Sequence, residues 1–234
     1  MKRTVHIKSI NDFVQGYTEI MRRKINCFEL DANGIRQHLS SPVFFKASVC
    51  ILVLSGTSRA NINHKPHPVA THTILVLSAS HLFNFENWSP DFSCLCLLVS
   101  KDFMEEMDST DMIYKRIRYG VKLYNAPILM MSNPGFSLLS TRLSTINRAI
   151  GNTTHRHYKE VILNTLFAFY LDLSDIIDRQ VIQNDDVNLT RQEGIIRSFI
   201  ELLVQHYHRE HKVDFYASRL NLSPHYLTLI VKRV

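Results

Sequence analysis

The chain has 234 residues, of which 45% are apolar and 21% are charged. This composition excludes a mini-protein and a disordered polyelectrolyte, and the length suits one large domain or two smaller ones. The formal net charge of +6 at pH 7 is compatible with a nucleic acid or an anionic surface as partner, but it establishes neither.

The apolar runs and the first residues bear on location. The strongest runs, residues 49–54 and 95–99, are far shorter than the roughly 20 residues of a transmembrane helix. The opening MKRTVHIKSIND has basic residues but lacks the apolar segment of a secretory signal. These features predict a cytoplasmic protein that has no membrane partner.

The four cysteines, Cys27, Cys50, Cys94 and Cys96, are too few for a disulfide framework. Cys94 and Cys96 lie two residues apart in the strand-like run SCLCLLV, so both thiols should point to one face. We interpret them as reduced core residues. The alternative is a metal-binding pair, but no second CxxC or CxxH follows, and we predict neither a metal nor a cofactor.

Residues 25–100 are predicted to form short strands. The runs CFEL, VFFKASVCILVL, RANINHK, HTILVLS and FSCLCLLV are rich in β-branched and aromatic residues. Turn formers such as Asn33-Gly34 and Ser55-Gly56 separate them at intervals of about ten residues, which suggests a sandwich or a small barrel. Residues 43–54 are apolar on both faces apart from Lys46, and they are predicted to form one central strand.

The pattern becomes helical from about Ser100, which is an N-cap candidate for SKDFMEEMD. A helix should then begin with Asn133 as its N-cap and Pro134 at its first position, and it should end at Gly151. A second helix, about 25 residues long, should start near Thr153 or Thr154.

That second helix carries an apolar stripe with two interpretations. The stripe packs on its own domain, or it forms a seam between two subunits of a homodimer, because an a/d-like pattern serves either purpose. Thr165 and Ile177 belong to the stripe, and the candidate seam residues are Tyr158, Ile162, Leu166, Phe169, Leu173 and Ile176.

Residues 180–190 are polar and are the best linker candidate. The chain is then predicted to be helical to its end. One amphipathic helix carries the helically spaced residues Ile196, Phe199, Ile200, Leu203 and Tyr207. A short helix follows over residues 213–220, and a third over residues 225–234 is introduced by Ser223-Pro224.

The last two helices match the requirements of a helix-turn-helix. Such a motif needs a small residue where the helices cross, and Ala217 occupies that position. Four residues later it needs a residue that tolerates a left-handed turn, and Asn221 does. Apolar residues must surround both points, and the alternative interpretation is an ordinary helical hairpin. The predicted motif core is Tyr216, Ala217, Leu220, Asn221, Leu222, Leu227 and Ile230.

The third helix would enter the major groove of DNA. With Leu227, Ile230 and Val231 toward the core, the residues left to face the bases are His225, Thr228 and Leu229. His225 and Thr228 can hydrogen-bond base edges, and Leu229 or the Thr228 methyl group can touch a thymine methyl group. The predicted phosphate contacts are Ser223, Arg219, Lys232 and Arg233.

The segment YASRLNLSPHYLTLIVKRV resembles the first helix-turn-helix of the AraC/XylS family of bacterial transcription regulators. The upstream segments NGIRQHLSSPVFFKASVCILVLSGTSRANIN and LSASHLFNFENWSPDFSCLCLLVSKDF resemble the cupin-like N-terminal domain common in that family. The resemblance implies an α+β chain with a cupin-like barrel or jelly roll, a helical dimerisation region and a DNA-binding domain.

The implied boundaries are residues 1–124 for the cupin-like domain, 125–184 for the helical region and 185–234 for the first half of the DNA-binding domain, with the helix-turn-helix at 213–234.

Two features depart from the family pattern. Family members carry a second helix-turn-helix, so we expect this sequence to be a fragment. Leu229 also stands where relatives often carry a polar or basic residue.

The resemblance implies a non-enzymatic regulator that binds operator DNA, responds to a small-molecule effector and forms a homodimer, with RNA polymerase as a further partner. Within the sheet region, His38, Lys46 and His81 are the candidate residues of the effector pocket. Two alternatives remain. One is a dimerisation module that does not bind DNA. The other is a cupin-type metalloenzyme using some of His64, His67, His72 and His81.

Overall fold

The computed structural model describes residues 5–13, 21–107, 119–120, 123–124, 126–183 and 191–232. They form two compact units, one within Met1–Asp108 and Ala126–Ile176 and the other within Ser109–Asn125 and Ile177–Val234. The predicted α+β class, in which a sheet domain precedes helices, is confirmed. Among the described residues, no helix combines the length and the hydropathy that a membrane crossing requires.

Two five-stranded sheets dominate the first unit, and they form a sandwich rather than a closed barrel. The strands, in chain order, are β1 (His6–Lys8), β2 (Ile25–Leu30), β3 (Val43–Phe45), β4 (Ser48–Ser55), β5 (Thr57–Ile62), β6 (Lys65–Ala70), β7 (Thr73–Leu77), β8 (Leu82–Glu86), β9 (Ser93–Val99) and β10 (Ile128–Met130). Sheet one has the order β1-β3-β8-β5-β6, and sheet two has the order β10-β7-β4-β9-β2. The pairs are antiparallel except for β1 with β3.

The core lies between the sheets and follows from the alternation of side chains along each strand. In β5, Ala60 and Ile62 are buried in the core, whereas Arg59 and Asn61 lie on the opposite face. Four phenylalanines contact one another in a row through the core in tilted and edge-to-face arrangements, with ring centroids 6.2, 4.9 and 5.1 Å apart in the order Phe45, Phe83, Phe85 and Phe92. The central strands β4 and β9 are buried on both faces, which explains their continuous apolar runs.

The prediction of one strand over residues 43–54 is wrong. β3 belongs to sheet one and β4 to sheet two, and the exposed Lys46 lies in the short connection between them. The backbone N–H of Lys46 donates a 2.8 Å hydrogen bond to the carbonyl of Lys8. Because both strands are apolar, the sequence pattern alone does not reveal where the chain changes sheet.

Before the C-terminal region, the described residues include two short 3-10 helices, Ile10–Phe13 and Met21–Arg23, and the α-helices α1 (Ala32–His38), α2 (Lys101–Glu105), α3 (Asn133–Gly151) and α4 (Tyr158–Gln183). Ser100 caps α2 as predicted, since its side chain accepts a hydrogen bond from the N–H of Phe103. The cap of α3 is Ser132 and not Asn133. The predicted turn at Asn33-Gly34 lies inside α1, because the Asp31 side chain accepts from the N–H of Gly34 and starts a helix there.

Three helices make up the C-terminal region: α5 (Arg191–His206), α6 (Val213–Arg219) and α7 (Pro224–Lys232). The bounds of α6 and of the start of α7 agree with the sequence prediction to within one residue. The predicted linker is partly wrong, because residues 180–183 form the last turn of α4. Its remainder, residues 184–190, lies outside the described residues.

All four cysteines are buried free thiols. Burial raises the pKa of Cys50 to about 12, and burial together with the nearby Cys50 raises that of Cys27 to about 12. The sulfurs of Cys94 and Cys96 lie 3.8 Å apart in the core, on one face of β9 as expected. These thiols therefore pack as small apolar side chains.

Candidate nucleic-acid interface

A tight turn joins α6 to α7. The N–H of Leu220 donates to the carbonyls of Tyr216 and Ala217 at 3.1 and 3.2 Å, and the N–H of Leu222 donates to the carbonyl of Ala217 at 2.9 Å. Asn221 has a φ of 54°, the left-handed conformation that asparagine tolerates better than most residues. The chain thus leaves one helix and enters the next within four residues.

Ala217 lies at the centre of the packing between α6 and α7. Its side chain is completely buried and lies in one apolar cluster with Tyr216 and Leu227. Leu220 and Leu222 are half-buried and pack against the same cluster. A methyl group here lets the two helices approach closely, which a longer side chain would prevent.

Helix α5 packs against both α6 and α7. The ring of Phe199 meets Tyr216 edge-on with centroids 5.6 Å apart, and Ile200 packs on Ile230 of α7. The hydroxyl of Tyr216 donates a 2.6 Å hydrogen bond to the carbonyl of Glu210, which lies in the connection between α5 and α6. Burial, and then the charge of Glu210, raise the pKa of Tyr216. The phenol therefore stays neutral and tethers α6 to the preceding connection.

Ser223 caps the N-terminus of α7. Its hydroxyl accepts a 3.2 Å hydrogen bond from the N–H of Tyr226, and its carbonyl accepts a 3.0 Å bond from the N–H of Leu227. Because this hydroxyl already serves as a cap, a phosphate at the predicted Ser223 site would meet mainly the free backbone N–H groups of the first turn.

The three residues predicted to face the bases share one side of α7. Their spacing of three and four residues places His225, Thr228 and Leu229 together, with His225 exposed and Leu229 41% exposed. Thr228 is half-buried, and its hydroxyl donates a 2.8 Å hydrogen bond to the carbonyl of Pro224. The O–H donor is thereby used within the helix, whereas the hydroxyl oxygen can still accept a hydrogen bond and the methyl group can make apolar contacts.

The predicted phosphate contacts divide into described and undescribed positions. Arg219 is exposed at the end of α6, where its guanidinium lies 4.9 Å from the ring centroid of Phe215. Arg233 and the side chain of Lys232 lie outside the described residues, and these two positions stay predictions.

Two features of α7 differ from the sequence analysis. Val231 was expected to face the core but is 39% exposed, because α7 packs through the narrow stripe of Leu227 and Ile230. Tyr226 is 37% exposed and adds an aromatic ring and a hydroxyl next to His225. Its position in the first turn of α7, beside His225, was the available sequence signal for it.

The candidate effector residues occupy three different settings. His38 ends α1, its carbonyl accepts a 2.7 Å hydrogen bond from Lys8, and burial followed by the Lys8 charge lowers the pKa of its ring. Lys46 is exposed in the β3–β4 connection. His81 is buried in the β7–β8 turn, where its Nδ1 accepts from the N–H of Ser78 at 2.9 Å. His81 therefore has a structural hydrogen bond in its turn.

The apolar stripe of α4 is covered within the single chain. Ile162, Leu166 and Phe169 have no exposed surface, and Leu173 is also buried. Helix α3 runs alongside, with a 2.6 Å salt bridge from Arg142 to Asp172. The hydroxyl of Tyr158 donates a 2.6 Å bond to the carbonyl of Ile150, and Ile176 lies beside Gly135. Four of the six candidate seam residues are therefore buried within one chain, Tyr158 and Ile176 are half-buried, and the homodimer seam stays a prediction.

The metalloenzyme alternative needs convergent donor groups. In the part of the chain that the structure describes, no group of three His, Cys, Asp or Glu side chains lies close enough to hold a metal ion. His64 and His72 both have positive φ values, of 66° and 71°, and lie in turns.

Comparisons with known proteins return only distant structural similarity. No protein-family model and no curated protein matches the sequence. Unsaturated-fatty-acid-bound ToxT from Vibrio cholerae aligns at 10% identity and a TM-score of 0.40, covering 89% of this chain and 72% of ToxT. The AraC-like transcriptional activator CuxR aligns at 15% identity and a TM-score of 0.36, covering 89% and 67%. Similarity at this level does not assign a function to the chain.

Proposed function

We propose that the chain is a sequence-specific regulator of transcription of the AraC type that binds double-stranded operator DNA through α6 and α7. The observation that carries this proposal is the geometry of the α6–α7 turn. In it, the backbone of Asn221 adopts the left-handed conformation and the side chain of Ala217 is fully buried. This turn holds α7 on the surface of the unit, with one face packed and the other exposed. A recognition helix needs this arrangement in order to enter a major groove.

The exposed face of α7 supports a mainly apolar reading of the bases. Leu229 offers an exposed alkyl surface, and Thr228, whose O–H donates within the helix, contributes a methyl group. Such groups contact the 5-methyl group of thymine, while His225 can hydrogen-bond a base edge. We therefore propose an operator half-site that contains at least one thymine opposite Leu229.

Charge supports binding to a polyanion only modestly. Residues 191–234 hold seven Lys or Arg and four Asp or Glu residues, a net charge of +3. Arg219 and the predicted contacts at Lys232 and Arg233 would neutralise phosphates. Because few phosphates are neutralised in this way, the affinity should fall with salt less steeply than for a strongly basic protein.

The predicted effector, the homodimer and the contact with RNA polymerase belong to the same proposal. The sheet domain is a separate compact unit that can carry a ligand site. Dimerisation through the stripe of α4 would require the buried Ile162, Leu166 and Phe169 to become accessible, so a homodimer should use another surface.

A selection experiment tests the proposal. The full chain is incubated with random duplex DNA, bound sequences are enriched, and the affinity for the enriched site is measured by fluorescence anisotropy at two salt concentrations. Leu229→Ala should weaken specific binding, whereas Leu138→Ala, a leucine of α3 with a similar exposure of 39%, should not. Enrichment of no common sequence would refute the proposal.

A second candidate function is a protein-interaction module. The exposed apolar side chains of Tyr226 and Leu229, three residues apart on α7, favour it, because neighbouring apolar groups on a surface are also typical of protein interfaces. Sedimentation of the full chain separates the two functions. Self-association that persists in high salt and is lost in Leu229→Ala would favour the module, since DNA binding weakens as salt rises.

A further inference from the structure

The outer face of sheet one carries a concave pocket with a volume of about 320 Å³. It lies over β5 and β8, on the face opposite the phenylalanine core. Arg59 and Asn61 of β5 and Asn84 and Glu86 of β8 alternate with core residues, so all four point outward. None of the three residues predicted as an effector pocket lines it.

The polar residues of the pocket stand in two directly opposed pairs. Arg59 pairs with Glu86 across β5 and β8, and Asn61 pairs with Asn84. The Cβ atoms of two residues that lie directly opposite each other on antiparallel strands are about 5 Å apart. The guanidinium of Arg59 is exposed and forms no salt bridge or hydrogen bond within the described part of the chain. A positive and a negative group thus stand side by side at the same end of the pocket.

Asn84 is the unusual member of the set, because it is only 4% exposed although it lies on the outer face. Its Nδ2 makes long hydrogen bonds, 3.4 Å to the carbonyl of Phe85 and 3.5 Å to Oε1 of Glu86. Its Oδ1 accepts no hydrogen bond from the described residues. No buried side-chain oxygen or nitrogen of the described residues lacks a hydrogen-bond partner, so Oδ1 is open to solvent, where it can accept a hydrogen bond from a ligand.

The remaining walls are apolar. Val5, Pro42, Pro66 and Leu82 line the pocket, and His64 closes it at the β5–β6 turn. Among the described residues that line the pocket, this imidazole is the only aromatic ring, so these residues offer a sugar ring little stacking surface. The volume is at the lower end of the range for small-molecule sites, about 300–1,000 Å³, and suits a small ligand.

We propose that this pocket binds a free α-amino acid with an apolar side chain. The α-carboxylate pairs with the guanidinium of Arg59, whose fork suits a carboxylate. The α-ammonium donates to the Glu86 carboxylate, which has about four lone-pair sites, and to Oδ1 of Asn84. The two charges of an α-amino acid are held on one carbon, which matches the adjacent placement of Arg59 and Glu86. The apolar walls receive the side chain.

This inference extends the proposed function, because it gives the effector of the regulator a site and a chemical class. The site does not depend on DNA binding, and amino-acid binding is measured without DNA. A chain that binds an amino acid but no DNA would therefore refute the regulator and leave this inference intact, and the reverse result would refute only the inference.

The first test is isothermal titration calorimetry of the full chain with L-leucine, L-valine and L-proline, each titrated alone. For the tightest of the three, the deaminated acid and the decarboxylated amine are then compared with the parent. Each analogue lacks one charge and should bind about tenfold or more weakly. Failure of all three amino acids to bind at millimolar concentration, or equal binding of an analogue, would overturn the proposal.

The second test uses matched variants that remove one charge inside or outside the pocket. Arg59→Met and Glu86→Gln should each weaken binding of the amino acid about tenfold or more. The controls are Arg36→Met in α1 and Glu29→Gln in β2, which carry the same changes on exposed residues outside the pocket and should bind normally. Circular dichroism and the melting temperature verify that each variant is folded. Normal binding by a folded Arg59→Met variant would also overturn the proposal.

Discussion

The backbone N–H of Leu222 donates a 2.9 Å hydrogen bond to the carbonyl of Ala217. This bond closes the turn between α6 and α7, and it forms only because Asn221, between them in sequence, adopts a positive φ. The orientation of α7 on its unit therefore depends on a backbone conformation at one residue and on the small volume of another. Both dependences can be measured separately.

Substitution of Asn221 tests the backbone requirement. Asn221→Val places a β-branched side chain at a φ of 54° and should lower the free energy of unfolding of the C-terminal unit by about 1–3 kcal/mol. Asn221→Gly is the matched control, because glycine adopts this conformation without a steric cost. Urea denaturation followed by circular dichroism measures both variants. Equal destabilisation by valine and glycine would indicate that the Asn221 side chain, and not its φ, stabilises the turn.

Enlargement of Ala217 tests the packing requirement. Ala217→Leu should lower the free energy of unfolding by about 1–3 kcal/mol, because the site is fully buried and the extra atoms force α6 and α7 apart. Ser218→Leu adds a similar side chain at the next position, which is exposed, and should cost much less. Denaturation curves of both variants decide the matter. A stable Ala217→Leu variant would show that the helices do not need close contact.

The sequence predicted the features that depend on local signals. The limits of α6 and the start of α7 follow from helical spacing and from the Ser223 cap, and both depend on residues within one or two turns of each other. The order of sheet domain and helices follows from the change of period near Ser100. These signals do not require any knowledge of which strands or helices meet.

Features that depend on distant partners were not predictable in the same way. The change of sheet at Lys46 is decided by the pairing of β3 with β8 and of β4 with β9, which lie far apart in sequence. The covering of the α4 stripe is decided by α3. The outer pocket depends on the register that places Arg59 opposite Glu86, and no local pattern carries that register.

A three-residue ion cluster in the first unit should make its stability depend on pH. Glu106 accepts from Lys159 at 2.7 Å and from Lys24 at 3.0 Å, and these hydrogen bonds lower its pKa below the ordinary value of 4.5. A carboxyl group whose pKa is lower in the folded state stabilises that state fully above pH 4.5. This contribution is lost as the pH falls through the lowered pKa.

Glu106→Gln should therefore reduce the melting temperature at pH 7, and the difference from the unchanged protein should shrink at pH 3. Differential scanning calorimetry at both values measures the effect, which should be small because the cluster is partly exposed to solvent. Glu105→Gln is the control, since Glu105 has only a loose 3.8 Å pairing with Lys101 and is more exposed. A difference that does not change with pH would contradict the assignment.

The buried thiols should be unreactive in the folded protein. Cys27 and Cys50 are buried, with pKa values raised to about 12, so almost no thiolate exists at pH 8 and reagents cannot reach the sulfurs. Titration with a thiol-specific chromogenic reagent should detect four thiols only after denaturation. Rapid reaction of the native chain would show that the sandwich opens more readily than its packing indicates.

Leu229 and the thymine methyl group provide the sharpest test of base recognition. Once an operator site has been selected, each thymine is replaced in turn by uracil, which removes only the 5-methyl group. Replacement at the contacted position should weaken binding about fourfold, as expected from about 0.8 kcal/mol for one buried methyl group. The other positions serve as controls for duplex stability. With Leu229→Ala the same replacement should have little effect, because the partner of the methyl group is already gone. An unchanged uracil effect in that variant would mean that a residue other than Leu229 contacts the methyl group.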